Sequence, residues 1–413
     1  MKIRELTVNN FRGFSGETRF QLAEHFTVIA GINGRGKTAL LDGLALLISR
    51  LFRTLALSAG NQRTISSTDV YSGAQDASLA MKANCAGIPV KYEVSFRADA
   101  KTARATSLSS TVKRQIVSNY GDPARRDDQA PVAVYFTTDR AGMRLPRTLP
   151  SDLPSGQKLA HHGALSNRMV DYRGFMARYR TWAATGGSRE LGAFNRALAV
   201  FLGDFHELAI EENPLRLTIL KGKTRLSLQQ LSDGERAFLA LLGDLVRRLA
   251  LANPDLENPL DGHGVVLVDE LELHLHPRWQ REVAEKLRST FPNIQFIATT
   301  HSPFVIQSLR AGELINLDPD EIAEYANRSV EDIAENVMGV EVPQKSERYL
   351  EMMRAAEEFY KLLQGQNTSV EEIAAAEKRL DELSMRFGDD PAFYAFLKLE
   401  LEAKRAEAIH AAG

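Results

Sequence analysis

The run Gly31-Ile32-Asn33-Gly34-Arg35-Gly36-Lys37-Thr38 constrains this chain more than any other stretch, because it stands between segments of opposite periodicity. Before it, Phe26-Thr27-Val28-Ile29-Ala30 reads as a strand. After it, Thr38 to about Phe52 is apolar at helical spacing. Strand, glycine-rich loop and helix in that order make a P-loop. Its glycines let backbone N–H groups wrap around phosphate oxygens, Lys37 reaches the β and γ phosphates, and Thr38 offers a hydroxyl to Mg2+ at the helix N-terminus. The expected nucleotide-binding set is therefore Asn33, Gly34, Arg35, Gly36, Lys37 and Thr38, and the fold class is α/β.

A second stretch, Leu231 to Pro303, supplies what the loop lacks. Leu231-Ser232-Asp233-Gly234-Glu235 opens a helix with a hydroxyl and a glycine, and no partner for it within its own subunit is evident. Val265 to Leu267 leads into Val268-Asp269-Glu270, and Phe296 to Thr300 leads into His301-Ser302-Pro303. Both runs read as buried parallel strands, and ligands of open α/β sheets bind at the carboxyl ends of such strands. Together with the P-loop this set can hydrolyse ATP. Asp269 is expected to hold Mg2+ through its water shell, Glu270 to polarise the attacking water, and His301 to touch the γ phosphate. Lys37 and the metal neutralise the developing charge. Ahead of the loop, Arg12 in Asn10-Phe11-Arg12-Gly13-Phe14 is a further candidate for nucleotide contact, against the plainer reading of a surface arginine.

The chain divides at 140, 208 and 317. Residues 1–140 carry the P-loop and a β-hairpin around Gly87-Ile88-Pro89. Residues 141–208 form a helical, arginine-rich insertion, 209–317 complete the head, and 318–413 are an acidic helical tail with helices expected near 345–364, 369–386 and 391–409. The tail reads as a surface for a partner or for self-association. The net charge of −2 hides a segregation: residues 140–189 hold nine Arg/Lys against two Asp, and residues 311–413 hold eleven against twenty-three Asp/Glu. The basic segment interleaves Tyr172, Phe175, Tyr179 and Trp182, a composition able to grip phosphates and stack bases, which makes nucleic acid a candidate partner; ordinary amphipathic helices have the same pattern. His161-His162 lacks ligands at metal spacing and reads as exposed loop. Cys85, the single cysteine, excludes an internal disulfide and reads as a buried bystander. With 44% hydrophobic and 25% charged residues, no apolar signal core and no run of membrane-span length, a cytoplasmic location without membrane contact is expected.

Taken together, these motifs resemble the ABC-type ATPases of the SMC and RecF-like branch over residues 1 to about 310. The resemblance implies an ATPase head with a mixed sheet, and a signature loop that acts in trans: Ser232 and Gly234, with Asp233 and Glu235 beside them, would complete the site at Lys37 of a second subunit. Two ATPs would then glue a homodimer, open to higher assembly. The segments Asp269-Glu270-Leu271-Glu272-Leu273-His274-Leu275-His276-Pro277 and Ala298-Thr299-Thr300-His301-Ser302-Pro303 are more narrowly similar to compact bacterial AAA-type ATPases related to the Septu defence ATPase and the overcoming-lysogenization-defect family. The acidic tail, with Gly388-Asp389-Asp390-Pro391, is similar to the Septu-like group. That likeness implies slow, regulatory ATP hydrolysis in anti-phage defence beside a separately encoded effector, such as an HNH nuclease, and in some systems a retron.

The chain departs from the branch at several places. Thr138, Asp139 and Arg140 stand where a Q-loop glutamine is expected. His274 and His276 lie two apart with no third ligand, so a structural place is expected for them. The other readings are a RecF-like DNA-repair ATPase, a transporter ATPase subunit, and a nuclease in which Asp318-Pro319-Asp320 mimics a TOPRIM acidic pair.

Overall fold

The computed structural model describes residues 1–58, 63–99, 102–120, 130–142, 146–150, 156–166, 170–185, 188–318, 328–338, 340, 343, 346–364 and 370–385. The chain forms two compact units, Met1–Gly339 and Val340–Gly413.

In the first unit the strands are β1 (Lys2–Phe11), β2 (Phe14–Gln21), β3 (Phe26–Ala30), β4 (Asp76–Cys85), β5 (Ile88–Arg97), β6 (Thr102–Ala105), β7 (Val132–Phe136), β8 (Phe205–Glu212), β9 (Leu215–Lys221), β10 (Thr224–Ser227), β11 (Gly264–Val268), β12 (Ile294–Thr299) and β13 (Leu314–Asn316). The helices are α1 (Lys37–Thr54), α2 (Ser110–Tyr120), α3 (Tyr172–Ala184), α4 (Arg189–Phe201), α5 (Asp233–Ala252), α6 (Pro277–Thr290), α7 (Pro303–Gln307) and α8 (Val330–Asn336). Parallel and antiparallel pairings are partitioned between sheets. The central sheet, ordered β13-β3-β12-β11-β7, is parallel at every pairing, whereas β2-β1-β4-β5-β6 and β10-β9-β8 are antiparallel.

The parallel strands are the apolar runs of the sequence, and every residue of β3, β7, β11 and β12 is buried. α1 is apolar on nearly all sides and is packed into the core that joins the two five-stranded sheets, where Leu44, Leu47, Ile48 and Leu51 meet Leu79, Tyr92, Leu267 and Ile297. On the opposite face of the parallel sheet, α3, α4, α5 and α6 bury Phe175, Phe194, Phe238 and Leu287. Gln295, fully buried in β12, donates to the carbonyls of Ile3 and Ala23 and accepts from the Ile3 N–H, which fastens β1 and the β2–β3 loop to the parallel sheet.

The arginine-rich segment differs from expectation in three respects. Its last residues are strand, since β8 begins at Phe205. Tyr172, Phe175, Tyr179 and Trp182 are all buried in the main core and have no face free to stack bases; they are ordinary amphipathic-helix aromatics. His161 is buried too, its ring edge-on to Phe52 with centroids 5.1 Å apart, while His162 is exposed. Cys85 is buried with a free thiol, and burial raises its pKa to about 11.

The second unit holds α9 (Glu347–Gln364) and α10 (Val370–Met385), packed through Tyr349, Met352, Met353 and Ala356 against Leu380. The helix expected at 391–409 and the Gly388-Asp389-Asp390-Pro391 motif lie outside the described residues. Among the described residues no helix is long and apolar enough to cross a membrane.

Candidate active site

Because the central sheet is parallel throughout, β3, β7, β11 and β12 end on one edge, and each releases a polar segment there. From β3 comes the glycine loop. Gly31, Gly34 and Gly36 have φ of 147°, 86° and 97°, a region that glycine enters without penalty. At Gly36 a Cβ would stand 2.7 Å from the Phe14 ring, so the residue is fixed by space as well as by φ. Lys37, 7% exposed, donates from Nζ to the carbonyls of Gly31 (2.7 Å) and Ile32 (3.1 Å), and burial lowers its pKa. The loop is braced from β13: the Asp318 carboxylate accepts the Ile32 N–H (2.8 Å) and the Arg35 Nε–H (2.6 Å). Asp320, the other member of the acidic pair, lies outside the described residues.

From β11 come Asp269 and Glu270. Thr38 at the start of α1 donates its hydroxyl to the Asp269 carboxylate at 3.1–3.2 Å, and Thr299 at the end of β12 donates to the same carboxylate at 2.6 Å. Glu270 has φ 48°, a left-handed backbone that costs a residue with a Cβ roughly 1–2 kcal/mol. Its N–H donates to the Thr299 hydroxyl at 2.8 Å. From β12 comes His301, whose backbone N–H donates to Glu272 at 2.5 Å while the Thr300 hydroxyl donates to the same carboxylate at 2.6 Å. Glu272 and Thr299 went unnoticed in the sequence. The only signal was their place beside Glu270 and His301, since neither type is diagnostic alone.

From β7 comes Arg140, buried and turned to the backbone of 269–271 rather than standing in as a Q-loop side chain facing the cleft. A cleft of about 440 Å3 opens beside Thr38 and Asp269, lined in part by Arg12, Asp42, Arg63 and Tyr135. Arg12 faces this cleft, but its guanidinium is held by Asp42 (2.6 Å) and Asp69 (2.9 Å), and Arg63 takes the other oxygen of Asp42 at 2.6 Å. Asp42, one helical turn beyond Thr38, anchors both arginines.

Within its own subunit the Leu231–Glu235 segment is held by local capping. Ser232 caps α5: its hydroxyl accepts the Glu235 N–H (3.3 Å), and the Glu235 carboxylate accepts the Ser232 N–H (2.8 Å) and the Lys221 ammonium (2.6 Å). Glu235 is thus an internal cap, buried, with both oxygens occupied, while Ser232 and Asp233 are exposed and Asp233 pairs with Arg236. A Cβ on Gly234 would lie 2.4 Å from the carbonyl oxygen of His274, itself at φ 63°, so the start of α5 rests directly on the loop that follows Glu270. His276 caps α6 through Nδ1, which accepts the Arg278 N–H at 3.3 Å. Among the described residues no three His, Cys, Asp or Glu gather as a metal site.

The chain is 37% identical over 221 residues to the Retron Ec83 probable ATPase of Escherichia coli, covering 52% of this chain and 40% of that protein. It is 42% identical over 127 residues to the Retron Vc95 probable ATPase of Vibrio cholerae, covering 30% and 25%, and 32% identical over 196 residues to the Septu protein PtuA of Bacillus thuringiensis, covering 42% and 48%. These matches span between a quarter and about half of the relatives' own lengths. An Smc head domain with an extended coiled coil, derived from Pyrococcus furiosus and bound to the C-terminal domain of ScpA, aligns at TM-score 0.47 and 16% identity over 74% of this chain and 91% of that one. The family described as "AAA domain, putative AbiEii toxin, Type IV TA system" matches residues 26–307, more than half of the chain, and the protein belongs to it.

Proposed function

We propose that this protein is an ATP-hydrolysing regulatory ATPase of a bacterial anti-phage defence system, working as a homodimer beside a separately encoded effector. The observation that carries the reading is the convergence of Lys37, Thr38, Asp269, Glu270 and His301 on one edge of a parallel sheet, with Thr38 and Asp269 already within hydrogen-bond distance. Backbone N–H groups of Asn33 to Thr38 cradle the phosphates and Lys37 neutralises charge on the β and γ groups. Thr38 and Asp269 present only hard oxygen donors, which fit Mg2+; the ion, when bound, offsets phosphate charge. The Glu270 carboxylate accepts a hydrogen bond from the attacking water and orients it for in-line displacement, and His301 contacts the γ phosphate. The exposed Ser232 and the N–H groups opening α5 serve the ATP of a second copy. The retron and Septu relatives support defence over DNA repair or transport as the setting.

Lys37→Ala is expected to abolish nucleotide binding, and Glu270→Gln to trap an ATP-bound dimer visible by size-exclusion chromatography. A Glu270→Gln protein that hydrolyses ATP at the wild-type rate sinks the assignment. Co-purification with the product of the adjacent gene tests the effector: retention of a nuclease supports the setting, and retention of a membrane transporter overturns it.

A further inference from the structure

Arg140 is a buried charged group in direct contact with the backbone of Asp269 and Glu270 that has no part in the proposed hydrolysis. It is 3% exposed, and its planar fork lies across successive carbonyls of the segment that carries the acidic pair. Nη1 donates to the carbonyl oxygens of Asp269 (2.6 Å) and Thr137 (3.3 Å), and Nη2 donates to that of Glu270 (2.5 Å), with Leu271 at the outer limit of 3.5 Å. Burial brings its pKa down to about 10, while Glu272, Asp269 and Glu270 pull it up, so the side chain is a cation at neutral pH. On the other side of the segment, Thr299 accepts the Glu270 N–H (2.8 Å) and the Thr299 carbonyl accepts the Leu271 N–H (2.9 Å). The left-handed turn at Glu270 is thus held from β7 through Arg140 and from β12 through Thr299.

We propose that Arg140 is a positioning residue for Glu270: it fixes the left-handed backbone from which the carboxylate is presented to the water at the γ phosphate. The inference rests on the assignment of Glu270 as the group that orients that water. Two features set Arg140 apart from a general core staple. It donates to neutral carbonyls although three carboxylates are close enough to act on its charge, and its donors are concentrated on the two peptides that flank the α-carbon of Glu270. Lysine does not reproduce the contact, because its single ammonium lacks the rigid planar fork whose two nitrogens each take one of these carbonyls.

The test uses the full-length protein with Arg140→Met and Arg140→Lys, each alone and combined with Glu270→Gln. ATP turnover, affinity for a fluorescent ATP analogue and thermal unfolding are measured for each. Arg140→Lys is expected to fold and bind the analogue within about threefold of wild type, with kcat down about 10–100-fold. Adding either substitution to Glu270→Gln should cause no further loss, because Arg140 acts through Glu270. Wild-type kcat in Arg140→Lys, a loss confined to analogue affinity, or a full additional loss on top of an impaired Glu270→Gln overturns the proposal and leaves the Glu270 assignment standing. A fully active Glu270→Gln overturns the assignment and the proposal together. Should Arg140→Met fail to fold, Arg140→Lys decides; failure of both makes Arg140 a staple of the fold and overturns the proposal.

Discussion

Gly234→Ala in the nucleotide-free protein isolates what this glycine does inside one subunit from the role proposed for the start of α5 toward a second copy. A Cβ at this position would stand 2.4 Å from the His274 carbonyl oxygen and 3.2 Å from its carbon. That is roughly 1 Å inside ordinary contact, and the obstacle is backbone rather than the yielding end of a side chain. The start of α5 or the 271–275 segment has to move, an overpacking that costs about 1–3 kcal/mol. Against this, alanine gains at most about 1 kcal/mol over glycine in a helix, less at its first turn. The clash therefore wins, with a net loss of about 1–2 kcal/mol. Gly192→Ala in α4 is the control. Its nearest contact is Arg196 Nη1, the far end of an exposed side chain, at the ordinary contact distance of 3.4 Å, so only the helix effect operates and stability rises by about 0.5–1 kcal/mol. Urea unfolding of the nucleotide-free protein reads both, followed by the fluorescence of Trp182 and Trp279, the two tryptophans of the chain and both in the first unit. The midpoint should fall for Gly234→Ala at unchanged slope and rise for Gly192→Ala. Wild-type or higher stability in Gly234→Ala would refute the packing of α5 on His274.

Two further outcomes are expected. Asp244, 2% exposed, accepts from Arg247 (2.5 Å) and Arg248 (2.6 Å), so Asp244→Ala strips the buried Arg248 of its paired carboxylate, leaves Arg247 with Asp171 at 4.0 Å, and should cost about 3–5 kcal/mol by urea unfolding; a loss under about 1 kcal/mol contradicts the triad. For His161, burial and then the nearby Arg248 cation lower the pKa from 6.5 to about 4, so the folded protein keeps the ring neutral where the unfolded chain takes up a proton. Stability is full above pH 6.5 and falls as pH drops from 6.5 toward 4, by about 3 kcal/mol over that window. His161→Phe, which keeps a ring against Phe52, should flatten that acid limb; an unchanged limb assigns it to other groups.

The local chemistry was legible in the sequence because it depends on near neighbours in the chain. Strand, glycine loop and helix at 26–52, the helix start at Ser232, and the apolar runs ending at Asp269 and His301 are short-range patterns, and a buried strand or a helix start declares itself within a few residues. The parallel character of β11 and β12 also followed, since only strands buried on both faces are apolar without alternation.

What the sequence by itself did not contain is which distant groups meet. Asp318 reaches the glycine loop from 283 residues away, Arg140 reaches the backbone of Asp269 from 129, and Gly234 rests on His274 because two loops approach at that point. The same limit applied to the aromatics of α3: helical spacing predicted an apolar face, but only packing against α4 and α5 decided that this face was core and not a platform for bases. The acidic pair at 269–270 was thus fixed by local sequence, and the left-handed turn that aims it was fixed by the tertiary structure. A strained backbone persists only where partners from elsewhere in the chain hold it.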